Sequence, residues 1–169
     1  MMKEEVELRD RLLSWLANCA KLVIMGIGNP LRGDDRAAAY IVRLMRGKIP
    51  QKVALLNCVS SPENYLGRVE SLRPSHILMI DAAELGLEPG SAKLVTPDRV
   101  AGLTISTHAI PLSTLAKYLG ERTSARQMLL GIQPKTVEFG RGLSKEMKAA
   151  CRDLARLLLE ILEQSCGVH

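Results

Sequence analysis

Residues 26–35 read Gly-Ile-Gly-Asn-Pro-Leu-Arg-Gly-Asp-Asp, and the rest of the chain is organised around them. They follow the apolar run 21–25 and precede the alanine-rich run 36–45, whose apolar spacing suits a helix. Because glycines supply backbone angles that other residues reach only with strain, the stretch predicts a buried strand, a glycine-rich turn and a helix. Asp34 and Asp35 would open that helix, where they either complement its dipole or serve a site.

Strands and helices alternate along the remaining chain. Strands are predicted at 21–27, 53–58, 76–80, 92–95 and 127–132, with weaker extended segments at 103–107 and 137–140. Helices are predicted at 4–20, 36–46, 62–73, 111–119 and from 145 onwards. Ser61 and Ser144 are predicted N-caps, and Gly120 is predicted to end the fourth helix. This order predicts an α/β fold: a three-layer, doubly wound domain with a mostly parallel central sheet and helices on both faces.

Length and composition predict one domain over residues 1–169. Its first part, 1–20, would be a helix packed on a core formed by 21–165. No apolar run approaches the ~20 residues that span a bilayer, and the N-terminus mixes acids and bases unlike a signal peptide. A cytoplasmic location and no membrane partner are therefore expected, and a monomer is the simplest oligomeric state to expect.

Several classes of protein are disfavoured by the residue content. The net charge of +5 raises nucleic-acid binding, but basic residues are interspersed with acids and only 3% of residues are aromatic, so no nucleic-acid partner is expected. The four cysteines lack Cys-x-x-Cys spacing and a nearby histidine, which favours free thiols over structural zinc. Phosphate-binding loops and the Gly-x-Ser-x-Gly elbow of serine hydrolases are missing from the sequence.

Three candidate ligands follow predicted strands or extended segments. Asp35 comes after the first strand, Asp81 ends the third, and His108 precedes the helix that Pro111 opens. In open α/β sheets, ligands bind beyond the carboxyl ends of the strands. Two carboxylates and one imidazole suit a borderline divalent metal and leave coordination positions open. A turn or cap role remains the alternative for each residue, because strand order cannot be read from the sequence.

These residues resemble the maturation endopeptidases of nickel–iron hydrogenases. That family opens with Gly-x-Gly-Asn-x-Leu/Met-x-x-Asp-Asp after its first strand, which residues 26–35 match. Further blocks that resemble the family lie at 61–64, 72–74, 80–82, 86–90, 106–112 and 130–134. The resemblance runs from residue 21 to the last helix and is strongest to the branch that serves hydrogen-evolving, formate-hydrogenlyase-type enzymes.

The resemblance implies a peptidase that removes a C-terminal extension from the precursor of the hydrogenase large subunit after nickel insertion. It carries the family's nickel-sensing and catalytic roles to Asp35, Asp81 and His108. The nickel-loaded precursor would be the partner, and nickel would arrive with it rather than as a permanent cofactor. The metal could then act as a Lewis acid, position the tail, or leave an aspartate to activate water.

One departure from the family pattern keeps an alternative open. The family follows its second aspartate with Gly-x-Gly, whereas this chain has Arg36, Ala37 and Ala38. A non-catalytic, nickel-checking chaperone would tolerate that change. The opening Gly-x-Gly-Asn-Pro also resembles peptidyl-tRNA hydrolase, but the chain has no histidine between Pro30 and His76 to match that family's catalytic one.

Overall fold

The computed structural model describes residues 3–99, 103 and 110–167. The helices are α1 (Lys3–Trp15), α2 (Ala37–Met45), α3 (Leu66–Leu72), α4 (Leu112–Thr123) and α5 (Lys145–Cys166). The strands are β1 (Leu22–Ile27), β2 (Val53–Val59), β3 (His76–Ala82), β4 (Ala92–Val95) and β5 (Arg126–Ile132). Short 3-10 turns at Gly33–Arg36 and Pro62–Tyr65 precede α2 and α3, and a third lies at Pro97–Arg99.

The five strands form one sheet in the order β2-β1-β3-β5-β4. Neighbouring strands from β2 to β5 run parallel, and β4 pairs antiparallel with β5 at the edge. Every residue of β1 and of β3 is buried, as expected for central parallel strands covered on both faces. The predicted mostly parallel sheet and the predicted edge strand at 92–95 are confirmed.

Helices cover both faces of the sheet. One apolar cluster joins α1, α2 and α5 to residues such as Leu22 and Ile24 of β1. The opposite cluster joins α3 and α4 to the alternate residues Val23 and Met25. Because successive side chains of a strand point to opposite faces, each central strand contributes to both clusters. The predicted three-layer, doubly wound α/β architecture is confirmed.

The longest helix, α5, begins as its sequence predicts. Ser144 is the N-cap, and its hydroxyl accepts a hydrogen bond from the backbone N–H of Met147 at 3.2 Å. The apolar stripe that includes Leu154, Leu158 and Ile161 is buried against the sheet and α2. The cap and the core-facing stripe of this helix are both confirmed.

Three local predictions were wrong. Gly120 does not end α4, which continues to Thr123 and closes at Ser124 in the left-handed conformation. A side chain at 120 would crowd Gln127 Nε2 at 3.2 Å, so this glycine serves close packing. The helix predicted over 4–20 ends at Trp15.

The third wrong prediction concerns Ser61, whose side chain makes no capping hydrogen bond and is followed by the 3-10 turn Pro62–Tyr65 rather than directly by an α-helix. The extended segment predicted at 137–140 is reduced to one antiparallel bridge between Arg32 and Phe139. The segment predicted at 103–107 lies outside the described residues except for Leu103. None of the helices in the described part of the chain is long and apolar enough to cross a membrane.

Candidate active site

The candidate site lies where the strand order reverses. The chain passes from β1 to β2 on one side, then returns to β3 on the other side of β1. In doubly wound sheets, the connections that leave the carboxyl ends of the two strands at such a reversal run in opposite directions, and a crevice for a ligand lies between them. The loop after β1 carries Asp35, and the end of β3 carries Asp81.

The glycine loop, residues 26–35, holds Asp35 in place through contacts with its own backbone. Gly28 has φ of +147°, and a Cβ there would lie 2.0 Å from the carbonyl oxygen of Asp35. The N–H of Asn29 donates to Asp35 Oδ2 at 2.9 Å, and the N–H of Asp35 donates to the carbonyl of Arg32 at 3.0 Å. Gly28 is therefore required here, because only glycine permits both this angle and this close approach.

Asp34 has a different role from its neighbour. Its Oδ2 accepts hydrogen bonds from the N–H of Lys135 and from Ser144 Oγ, both at 2.8 Å. Its Oδ1 accepts from the N–H of Ser144 at 2.7 Å, and its own N–H donates to the Thr136 carbonyl at 2.8 Å. Fully buried, Asp34 ties the glycine loop to the start of α5. The sequence left open whether the two aspartates stabilise the fold or serve a site. The structure gives Asp34 a structural role and leaves Asp35 as the site candidate.

Asp81 is fully buried in β3, opposite Gly131 of β5. The 3-10 turn that contains Asp35 packs against β3, so both carboxylates lie at the same end of the sheet. Each of them has a further interaction with its surroundings. Carboxylate oxygens in this position could bind a divalent cation or accept a proton from water.

The third predicted ligand, His108, lies outside the described residues. Over residues 3–99, 103 and 110–167, the side chains of His, Cys, Asp and Glu form no group of three or more that could hold a metal ion. The three-ligand set therefore remains a prediction. Asp35 and Asp81 alone would leave most coordination positions of a metal to other groups.

Gln133 was missed by the sequence analysis as a residue that supports the site. Its buried Oε1 accepts from the N–H of Leu85 at 2.7 Å, and its Nε2 donates to Glu84 Oε1 at 3.0 Å. These bonds hold the segment that follows Asp81. The signal in the sequence was a glutamine directly after the buried strand β5, at the same end of the sheet as Asp81.

The replacement of the family Gly-x-Gly leaves this backbone in ordinary conformations. Arg36 has φ of −80° and ψ of −7°, and Ala37 has φ of −53° and ψ of −48°. Both pairs of angles are available to any residue. Ala38 is buried in the first turn of α2. The change therefore does not by itself displace Asp35.

Cysteine chemistry does not contribute to the site. All four cysteines are free and buried, as predicted. Burial raises the pKa of Cys58 to about 12, and burial together with the charge of Asp34 raises the pKa of Cys151 to about 12. Cys19 has its pKa lowered to about 7, chiefly by a hydrogen bond with Cys166, but it lies just before β1 at the opposite end of the sheet.

Comparison with known proteins agrees with this geometry. A sequence profile described as hydrogenase maturation protease matches residues 39–161. A candidate hydrogenase maturation protease of Methanocaldococcus jannaschii is 38% identical over 93% of this chain and 97% of its own length. The hydrogenase 3 maturation protease of Escherichia coli K12 is 31% identical over 76% of this chain and 82% of its own length.

Among solved structures, the NiFe hydrogenase maturation protease HycI from Thermococcus kodakarensis KOD1 superposes with a TM-score of 0.83 at 32% identity. The match covers 90% of this chain and 99% of that one. The fold and the paired carboxylates define a doubly wound α/β protein with a site at its switch point. The chain belongs to the hydrogenase maturation protease family. The predicted family and the predicted peptidase activity are confirmed.

Proposed function

We propose that this chain is the endopeptidase that removes the C-terminal extension of a hydrogenase large-subunit precursor after nickel insertion. The nickel held by the precursor is the recognition signal, and it belongs to the substrate rather than to the peptidase. The observation that carries the proposal is the pair of buried carboxylates, Asp35 and Asp81, at one end of the sheet in a member of this family.

Recognition follows from the small number of ligands that the chain supplies. Asp35 and Asp81 offer carboxylate oxygens, and His108 offers the imidazole that completes the proposed set. A precursor that already surrounds nickel with its own ligands needs only a few more from the peptidase. A precursor without nickel lacks the group that these side chains would contact, so it is not held in position for cleavage.

Cleavage itself needs an attacking water and a leaving amine. Asp35 or Asp81 accepts a proton from the water as it adds to the scissile carbonyl. The C–N bond then breaks, and the proton leaves on the amine of the released peptide. The nickel of the substrate assists by polarising the carbonyl or by fixing the tail beside the carboxylates.

The test compares precursor loaded with iron and nickel against precursor loaded with iron alone. Wild-type protein should shorten only the nickel-loaded form, measured as the mass of the large subunit. Asp81→Asn and His108→Ala should each slow that processing at least ~10-fold, the scale of a lost metal-site interaction. Both variants should remain folded by circular dichroism, because neither substitution removes an apolar side chain from the core.

Efficient trimming of nickel-free precursor would overturn the recognition role of nickel. Binding of nickel-loaded precursor without any mass change would favour the nickel-checking chaperone instead. Processing at the wild-type rate by either variant would remove that residue from the proposed site.

A further inference from the structure

Two apolar side chains on the rim of the candidate site face solvent. Leu31 is 66% exposed and Phe139 is 70% exposed, which makes them the most exposed large apolar residues in the described part of the chain. Phe139 is also the chain's single phenylalanine. It lies on the surface, so packing of the core does not explain it. These two residues are called the Leu31–Phe139 patch.

The patch is built on paired backbone rather than on loose loops. The N–H of Gly140 donates to the Leu31 carbonyl at 2.9 Å, and Arg32 forms an antiparallel bridge with Phe139. The N–H of Gly33 donates to the Arg141 carbonyl at 3.0 Å. These hydrogen bonds lie beside those made by Asp34, so both halves of the patch are held in fixed relation to the glycine loop. A preformed surface loses little freedom when a partner binds.

Position and charge indicate what the patch contacts. Leu31 lies four positions before Asp35 on the same loop, so the patch borders the candidate site. The guanidinium of Arg32 lies 5.4 Å from the centre of the Phe139 ring, and Arg36 is exposed at the end of the 3-10 turn. The two aspartates of the loop are buried, so Arg32 and Arg36 are the charged side chains of residues 28–36 that reach the surface. Next to Phe139, the exposed carboxylate of Glu138 is paired with Arg141 at 2.9 Å.

We propose that the Leu31–Phe139 patch docks the precursor polypeptide beside the cleavage site. The segment it takes carries a large apolar side chain next to an acidic residue: the apolar group covers Leu31 and Phe139, and the acid faces Arg32 and Arg36. This inference rests on the proposed function, since the precursor is the substrate. Aromatic and arginine side chains are the residues that most often dominate such contacts.

The test separates binding from cleavage. Leu31→Ser, Phe139→Ser and the double variant are compared with Val6→Ser, which removes a 39% exposed apolar side chain from α1. The kcat and KM are measured on nickel-loaded precursor, and the Kd is measured by biolayer interferometry in an Asp81→Asn background. Circular dichroism and the Tm check that every variant is folded.

Removal of the Leu31–Phe139 patch should weaken binding of the precursor. The double variant should raise KM and Kd at least about 10-fold, which corresponds to about 1.4 kcal/mol, while kcat stays within about 3-fold. Val6→Ser should match the wild type. The KM of the wild type should rise with ionic strength, and that of Arg36→Gln should rise less, because screening weakens an exposed charge contact.

The outcomes distinguish the patch from the proposed function. A wild type that cleaves while the double variant keeps its KM and Kd overturns the patch and leaves the function standing. Binding that the double variant weakens, without cleavage by the wild type, supports the patch and overturns the peptidase function. A wild type that neither binds nor cleaves overturns both. Self-association that only the double variant loses, at unchanged KM, overturns the patch in favour of a contact between copies.

Discussion

Asp34 and Asp35 are adjacent in the sequence, and both are buried, yet their environments differ. The carboxylate of Asp34 accepts from backbone and hydroxyl donors of residues 135–144, while that of Asp35 accepts from the N–H of Asn29 within its own loop. The first therefore holds two distant segments together. The second is held at the end of the sheet where a substrate would bind.

Asp34→Ala should lower the free energy of unfolding by about 2–4 kcal/mol, since it leaves several buried donors without their charged acceptor. Asp35→Asn should lower it less, because the amide keeps its shape and one acceptor oxygen, but should slow processing at least ~10-fold. Urea denaturation and processing assays on both variants measure the two effects. Equal stability of Asp34→Ala and wild type would contradict the structural role assigned to Asp34.

At the scale of an element, the glycine loop and the turn after it behave as one unit. Gly28 lies against the carbonyl of Asp35, and Gly26 allows α2 to approach β1 so closely that a Cβ would be 2.7 Å from Val42 Cγ2. The loop positions a carboxylate by backbone contact. Glycines are needed at these two points for steric reasons, whereas ordinary helical angles suffice at 36–38.

Gly28→Ala should disturb the site, because the new Cβ would collide with the backbone of Asp35 in addition to adopting an unfavourable φ. Gly47→Ala is the matched control: Gly47 also has positive φ, at +78°, but a Cβ there meets no atom within 4 Å. Both variants should lose stability in thermal denaturation. Only Gly28→Ala should also reduce processing per folded molecule, by at least ~10-fold, and equal processing by the two variants would contradict this account.

For the whole molecule, α1 packs against α5 and β4, and its C-terminal end lies at the end of the sheet opposite the site. The ring of His76 lies 5.1 Å from that of Trp15, and its Nε2 donates to the Trp15 carbonyl at 3.0 Å. His76 begins β3, whereas Asp81 lies near the other end of the same strand, so His76 is at the end of the sheet opposite the candidate site. Its contacts join the N-terminal helix to the core.

Burial, with a smaller effect from the charge of Arg126, lowers the pKa of His76 below its ordinary value of 6.5. The unfolded chain therefore binds the proton first as the pH falls, and this group's contribution to stability is complete above about pH 6.5 and decreases below it. The stability difference between wild type and His76→Gln should shrink as the pH falls from 7.5 towards 5, in urea titrations. A difference that stays constant over that range would show that His76 does not titrate in this way.

The sequence by itself determined the fold class, because strand and helix periods are local and the apolar runs of β1 and β3 could be buried only in the middle of a sheet. It also placed Asp35 after the first strand and Asp81 at the end of the third, and the resemblance of residues 26–35 indicated the family, but that these two strands are neighbours came from the structure. The end of α4 was misjudged because Gly120 lies inside the helix, where it packs closely against Gln127. No local sequence pattern reveals that contact.

Only the tertiary structure decided which aspartate is structural, since the partner of Asp34 is Ser144, 110 positions away. It also brought Leu31 and Phe139 to one exposed surface, although they lie far apart in the chain. Local sequence determines what a segment can form, whereas the partner of a buried carboxylate or the neighbour of an exposed ring depends on how the segments pack. That is the physical reason why the fold of this chain could be predicted from its sequence and the division of roles around its site could not.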